Sequence, residues 1–309
     1  MNKFNRRTFI RKNARTMIGA AAALALIPAP LHLLARAIDR SLDQPLPGHP
    51  GISGRFSDIS LGFQTFPIRD RLGKDFAGTL RTMADMGYKL TEMCSPGGYK
   101  DIGFGFLVNK KPSEIRSIIE DAGLKCPSCH FGSAELWPDK LDASIEFARQ
   151  MGLSQMICST FWLPATATLK DYQDSADKLN KAAEKIKAAG MITGFHNHEF
   201  EFHQLEGRLI YDALMERFDP NLVKMQFQTE VINLGFKASD YFKKYPGRFI
   251  SSHLSDWTSD KKEAPVGQGI IDWKEFFAAA KTGGVKNFFV EMNFDKFKDS
   301  ATYIRSFAT

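Results

Sequence analysis

The chain has 309 residues, 43% of them hydrophobic and 25% charged, a balance that allows one sizeable core. Its formal charge of +6 is misleading, because Lys3, Arg6, Arg7, Arg11, Lys12, Arg15 and Arg36 supply seven positives before residue 38 with no acid beside them; removing seven from +6 leaves −1. The remaining body offers no electrostatic footing for a nucleic-acid partner.

In chain order the first element is an export signal, expected over residues 1–37. Asn5-Arg6-Arg7-Thr8-Phe9-Ile10-Arg11-Lys12 resembles a twin-arginine motif, an apolar stretch runs from Met17 to Ile27, and Ala35-Arg36-Ala37 offers a small-x-small cleavage site. The apolar stretch is well short of the ~20 residues that cross a bilayer, so no stable span is expected after processing, and the destination is the periplasm or another exported location. Residues 38–57 read as a linker rich in Pro and Gly. From residue 58 to residue 309, short apolar runs alternate with longer stretches of helical period.

Strands are expected at Ser60–Phe66, Tyr88–Cys94, Lys125–Phe131, Gln155–Thr160, Met191–His198, Val223–Thr229, Phe249–Leu254 and Asn287–Met292. The clearest helices between and after them are Phe76–Met86, Pro112–Ala122, Leu141–Met151, Tyr172–Ala189 and Trp273–Lys281. Several helical stretches stop at a glycine, among them Gly152 and the Gly283-Gly284 pair, as a left-handed C-cap requires. Eight such units without a second core predict a single-domain α/β fold, a (β/α)8 TIM barrel. The rival doubly wound sheet calls for a glycine-rich phosphate loop after the first strand, where this chain has Pro67-Ile68-Arg69-Asp70. Cys126-Pro127-Ser128-Cys129 lies in an expected strand and not at the start of a helix, so it reads as packing and not as a redox pair.

A barrel places its chemistry at the C-terminal ends of its strands. Those ends here read Thr91-Glu92, Cys129-His130, His196-Asn197-His198-Glu199-Phe200-Glu201, Gln226-Phe227-Gln228-Thr229-Glu230, His253-Leu254-Ser255-Asp256 and Glu291-Met292. Four histidines on one rim, with Glu92 and Glu291 beside them, suit both proton transfer near neutral pH and divalent-metal ligation. Period two places His196 and His198 on one strand face.

At these residues the sequence resembles the xylose isomerase-like TIM barrels of the sugar phosphate isomerase/epimerase superfamily. Ser60-Leu61-Gly62-Phe63-Gln64 with Arg69-Asp70 resembles the first strand of that family, and Met86-Gly87-Tyr88 through Glu92 the second. Phe195-His196-Asn197-His198-Glu199-Phe200-Glu201-Phe202 is the most specific match. Tyr245-Pro246-Gly247-Arg248-Phe249, His253-Leu254-Ser255-Asp256 and Val266-Gly267-Gln268-Gly269-Ile270-Ile271-Asp272-Trp273 extend it to Glu291. The resemblance implies a divalent metal (Mn, Zn, Co or Mg) held by Glu201, Gln228, His253 and Glu291, with His196 as the alternative to Glu201. It implies His198, Glu201, Glu291 and His130 as catalytic groups, and Glu92, His196, Trp257 and Asp256 as substrate contacts. Gln228 stands where the family has an Asp, and Glu230 is expected on the same face to compensate. Ser255 stands where a Lys is common.

The function implied is an isomerase or epimerase that removes a proton next to a sugar carbonyl. A 3-keto-glycoside lyase or dehydratase shares that first step, and a non-catalytic sugar-binding barrel is the third reading. A small sugar or keto-sugar is the expected partner, with homo-oligomerisation open. Export and the lack of a strong phosphate loop favour a substrate without phosphate; Gly267-Gln268-Gly269 is the weak exception.

Overall fold

The computed structural model describes residues 60–307, so the expected signal and linker lie outside the described residues. Within them eight parallel strands close into a barrel in chain order. They are β1 (Leu61–Gln64), β2 (Leu90–Cys94), β3 (Lys125–Phe131), β4 (Gln155–Cys158), β5 (Ile192–His196), β6 (Val223–Gln228), β7 (Phe249–Leu254) and β8 (Asn287–Val290). β8 pairs back onto β1 through Leu61 and Phe288, Gly62 and Phe289, and Phe63 and Val290, which leaves no barrel edge unpaired.

A helix follows each strand: α1 (Phe76–Asp85), α2 (Pro112–Asp121), α3 (Leu141–Met151), α4 (Leu169–Ala188), α5 (Ile210–Arg217), α6 (Ala238–Lys244), α7 (Trp273–Gly283) and α8 (Phe297–Ser306). Side chains cap their entries. Asp75 accepts from the Gly78 N–H at 2.8 Å and Asp272 from the Glu275 N–H at 2.9 Å. Thr168 and Asp171 cap α4 reciprocally, which starts that helix three residues before the expected Tyr172. Gly152 and Gly284 end α3 and α7 with φ of 71° and 86°.

The strands face two ways. Outward residues meet the helices as an aromatic layer: Phe63 lies edge-on to Tyr88 and Phe297, and Phe227 edge-on to Phe242 and Phe249. Burying each such ring contributes about 1.5–3 kcal/mol. The inner face is largely polar, and its hydrogen bonds cross between strands that are not neighbours. Gln155 on β4 donates to Asn287 on β8 at 2.7 Å, and Gln226 on β6 donates to Glu92 on β2 at 2.8 Å. Cys126 and Cys129 lie on β3 as free, buried thiols; burial pushes both up, Cys126 to about 12. No helix among the described residues is long and apolar enough to cross a membrane.

Candidate active site

The polar face rises to a charged cluster at the C-terminal mouth, and Glu92 is its floor. This carboxylate is fully buried. Its Oε1 accepts from Ser128 Oγ at 2.5 Å and Gln226 Nε2 at 2.8 Å, while its Oε2 lies 2.5 Å from His253 Nε2 and 3.2 Å from His130 Nε2. Burial pushes Glu92 up, but the His130 and His253 rings outweigh it and hold the group well below the usual carboxylate range. With its acceptor sites taken by Ser128, Gln226 and the two rings, Glu92 orients the two imidazoles. Ser128, Gln226 and Ser251 complete this floor, Gln226 donating to Ser251 Oγ at 2.9 Å and accepting from His130 Nε2 at 2.6 Å.

His253 connects the floor to the mouth. Its Nε2 faces Glu92 and its Nδ1 lies 3.0 Å from Glu291 Oε2. Burial lowers its proton affinity, but Glu92 and Glu291 outweigh that and raise its pKa from 6.5 to about 9. Gln228 Nε2 donates to the same Glu291 oxygen at 2.5 Å, and Gln228 Oε1 accepts from Ser255 Oγ at 3.4 Å. Trp257 donates to Ser255 Oγ at 3.3 Å, at the border of this cluster.

The histidine rings stack toward one another. His253 lies 5.2 Å from His130 and 4.5 Å from His196, centroid to centroid. One ring nitrogen from each of His130, His196 and His253 comes within 4.8 Å of the others. This donor set fits a divalent metal. Imidazole and carboxylate are its ligands, and Glu92 behind His253 is the outer carboxylate that fixes the ring's tautomer and angle. His253 Nδ1 and Glu291 Oε2 also need a proton or a cation between them at their separation.

β5 ends at His196; the His198 ring stays beside that of His196, perpendicular to it at 4.8 Å, and stacks on Phe200 at 5.2 Å. Glu201 does not join His253, Gln228 and Glu291. It accepts from the His198 N–H at 2.7 Å and so caps its own 3-10 turn, Glu199–Phe202, with Oε1 buried and without a hydrogen-bond partner. Burial pushes its pKa well up. Between the two alternatives for the first ligand, the geometry favours His196. Glu230 likewise lies on the 3-10 turn Thr229–Leu234 instead of the strand face.

Asp256 lies apart from this cluster. It is fully buried and accepts from the N–H groups of Trp257, Gly267, Gly269 and Ile271 and from Trp273 Nε1, at 2.7–3.3 Å. It is a loop anchor and not a substrate contact. Its carboxylate also fills the glycine nest at Gly267-Gln268-Gly269, where a phosphate could otherwise have sat.

Residues 80–307 match the model of the xylose isomerase-like TIM barrel family. The chain belongs to that family. No curated protein matches it. Among solved structures, two sugar phosphate isomerase/epimerases from Parabacteroides distasonis superimpose with TM-scores of 0.67. One is 23% identical, covering 85% of this chain and all of that one; the other is 26% identical, covering 81% and 99%. A probable 3-DHS dehydratase from Bacillus anthracis, 10% identical, covers 80% of this chain and 98% of its own with a TM-score of 0.61. The xylose isomerase-like frame thus accounts for the closed barrel and for chemistry gathered at one mouth.

Proposed function

We propose that this barrel is a sugar-directed enzyme of the isomerase/epimerase type, which removes and returns a proton next to a carbonyl. The observation that carries this reading is the buried chain Glu92–His253–Glu291 at the mouth, flanked by His130 and His196. The Parabacteroides structures, at similar length and up to 26% identity, support the same class.

Glu291 sits at the upper end of the chain with its side chain 8% exposed, placed to take a proton from a bound ligand. In the metal-free protein, protonated His253 steadies Glu291 and transmits its position to Glu92. His198 is partly exposed above His196 and is the group placed to return a proton. His130 and His196 line the space where the carbonyl oxygen gains charge. A divalent ion held by His196, His253 and Glu291, with Gln228 beside them, would supply Lewis-acid polarisation of that carbonyl when bound. Gln228 gives the set one negative charge fewer than an Asp would.

Solvent deuterium is the test. In D2O the protein should place deuterium at the carbon next to the carbonyl of a ketose or keto-sugar, and Glu291→Gln should abolish this. Absence of exchange from any sugar it binds, with and without added Mn2+, Co2+, Zn2+ or Mg2+, would sink the reading. Product analysis separates the outcomes: an epimer or aldose marks the isomerase, an unsaturated keto-sugar the lyase. Export is part of the same proposal. An Arg6→Lys/Arg7→Lys pair should keep the protein out of the periplasmic fraction.

A further inference from the structure

The loops after β2, β3 and β4 carry a second feature beside the histidine cluster. Trp162, four residues past the end of β4, is 64% exposed and has φ of 55°, in the left-handed region. A bulky residue rarely holds that conformation, and an indole is rarely left so open. Its Nε1 borders Gly132, two residues beyond His130: a Cβ built there would lie 3.9 Å from it. The same added Cβ would lie 3.7 Å from Glu135 Oε2.

Glu135 is half-buried and points into this notch. Ser95 Oγ and the Gly132 N–H both donate to its Oε2, at 2.6 and 2.8 Å, and the Gly98 N–H also faces the carboxylate. A carboxylate offers about four acceptor sites, so capacity remains. Gly97 and Gly98 let the carboxylate pack closely against the loop after β2: a Cβ on Gly98 would lie 1.9 Å from Glu135 Oε2, and one on Gly97 3.3 Å from Oε1. An exposed indole face beside a carboxylate among glycines is the chemistry that holds a neutral sugar ring. The C–H face of the ring packs on the indole and its hydroxyls donate to the carboxylate. A phosphate would be repelled by Glu135, and the Gly267–Gly269 nest is already filled by Asp256.

We propose that Trp162 and Glu135 form a subsite for a second, uncharged pyranose ring, so that the ligand is a glycoside or oligosaccharide and not a sugar phosphate. This rests on the sugar-directed reading above.

Titration calorimetry with cellobiose, methyl β-glucopyranoside and glucose 6-phosphate tests it, on wild type, Trp162→Gly and Glu135→Gln. Wild type should bind cellobiose more tightly than methyl β-glucopyranoside, and glucose 6-phosphate most weakly. Trp162→Gly should weaken cellobiose about tenfold, the scale of one lost aromatic stack, and leave methyl β-glucopyranoside unchanged. Its melting temperature should hold or rise, because glycine accepts the left-handed conformation. Unchanged cellobiose binding in Trp162→Gly, no cellobiose binding by wild type, or tighter glucose 6-phosphate binding would each overturn the subsite. Deuterium exchange into a monosaccharide ketose reports the chemistry separately. Exchange without a cellobiose effect removes the subsite and keeps the reaction, and a cellobiose effect without exchange does the reverse.

Discussion

At the residue scale the decisive group is Glu92, which the sequence marks as polar at a strand end without revealing what it touches. Its four partners come from β3, β6 and β7, residues 36 to 161 positions away in the chain. Glu92→Gln should therefore act through His253 and His130. It is expected to lower Co2+ affinity by about tenfold to a hundredfold, the usual effect of losing an outer-shell carboxylate, and to alter the Co2+ absorption bands. A normal spectrum and affinity would show that Glu92 only fills space. The pH behaviour of the metal-free protein belongs to the same contact. The fold raises His253 from 6.5 to about 9, so its stabilising contribution is complete below pH 6.5 and is lost as pH rises through about 9. Urea denaturation between pH 6 and 10 should show the decline, and His253→Gln should flatten it.

At the element scale, strand and helix positions were legible because period and punctuation agree. β3 and β7 fall on their expected residues, and the others are shorter only at their ends. The departures share a cause. Past His198 and Gln228 the chain turns into 3-10 helix, and there the period-two rule stops applying. The parity that paired Gln228 with Glu230 therefore fails, whereas His196 and His198 stay neighbours, their rings 4.8 Å apart. Glu201 is the clearest consequence, since its Oε2 caps its own turn and leaves only Oε1 for another role. Divalent-metal titration should separate the alternatives: His196→Ala is expected to weaken binding strongly, and Glu201→Gln to leave it near wild type. The reverse order would restore Glu201 as the ligand.

At the scale of the whole molecule, the barrel is narrow enough that small residues decide its closure. A methyl group on Gly62 would lie 2.4 Å from Phe289 and 3.0 Å from Leu90 Cβ, at the seam where β8 meets β1 and β2. Gly62→Ala should cost about 1–3 kcal/mol in chemical denaturation, the range for overpacked interiors. An unchanged midpoint would mean that the seam can yield. The closed architecture was readable from eight alternations, but the polar interior was not. Apolar and polar residues alternate on these strands as they would in a sheet with one wet face, and only closure turns the polar face inward.

Asp256 gives the loop after β7 a different significance. Its carboxylate gathers five N–H donors, a set of the kind that can hold an external anion. The protein carries a tethered substitute for a ligand, a lock that already holds its own key. Cutting the tether should expose the lock: Asp256→Gly is expected to lose stability, and millimolar sulfate or phosphate should rescue its melting temperature while leaving wild type unmoved. Rescue would make this loop a latent oxyanion receptor, one substitution away from accepting an external anion.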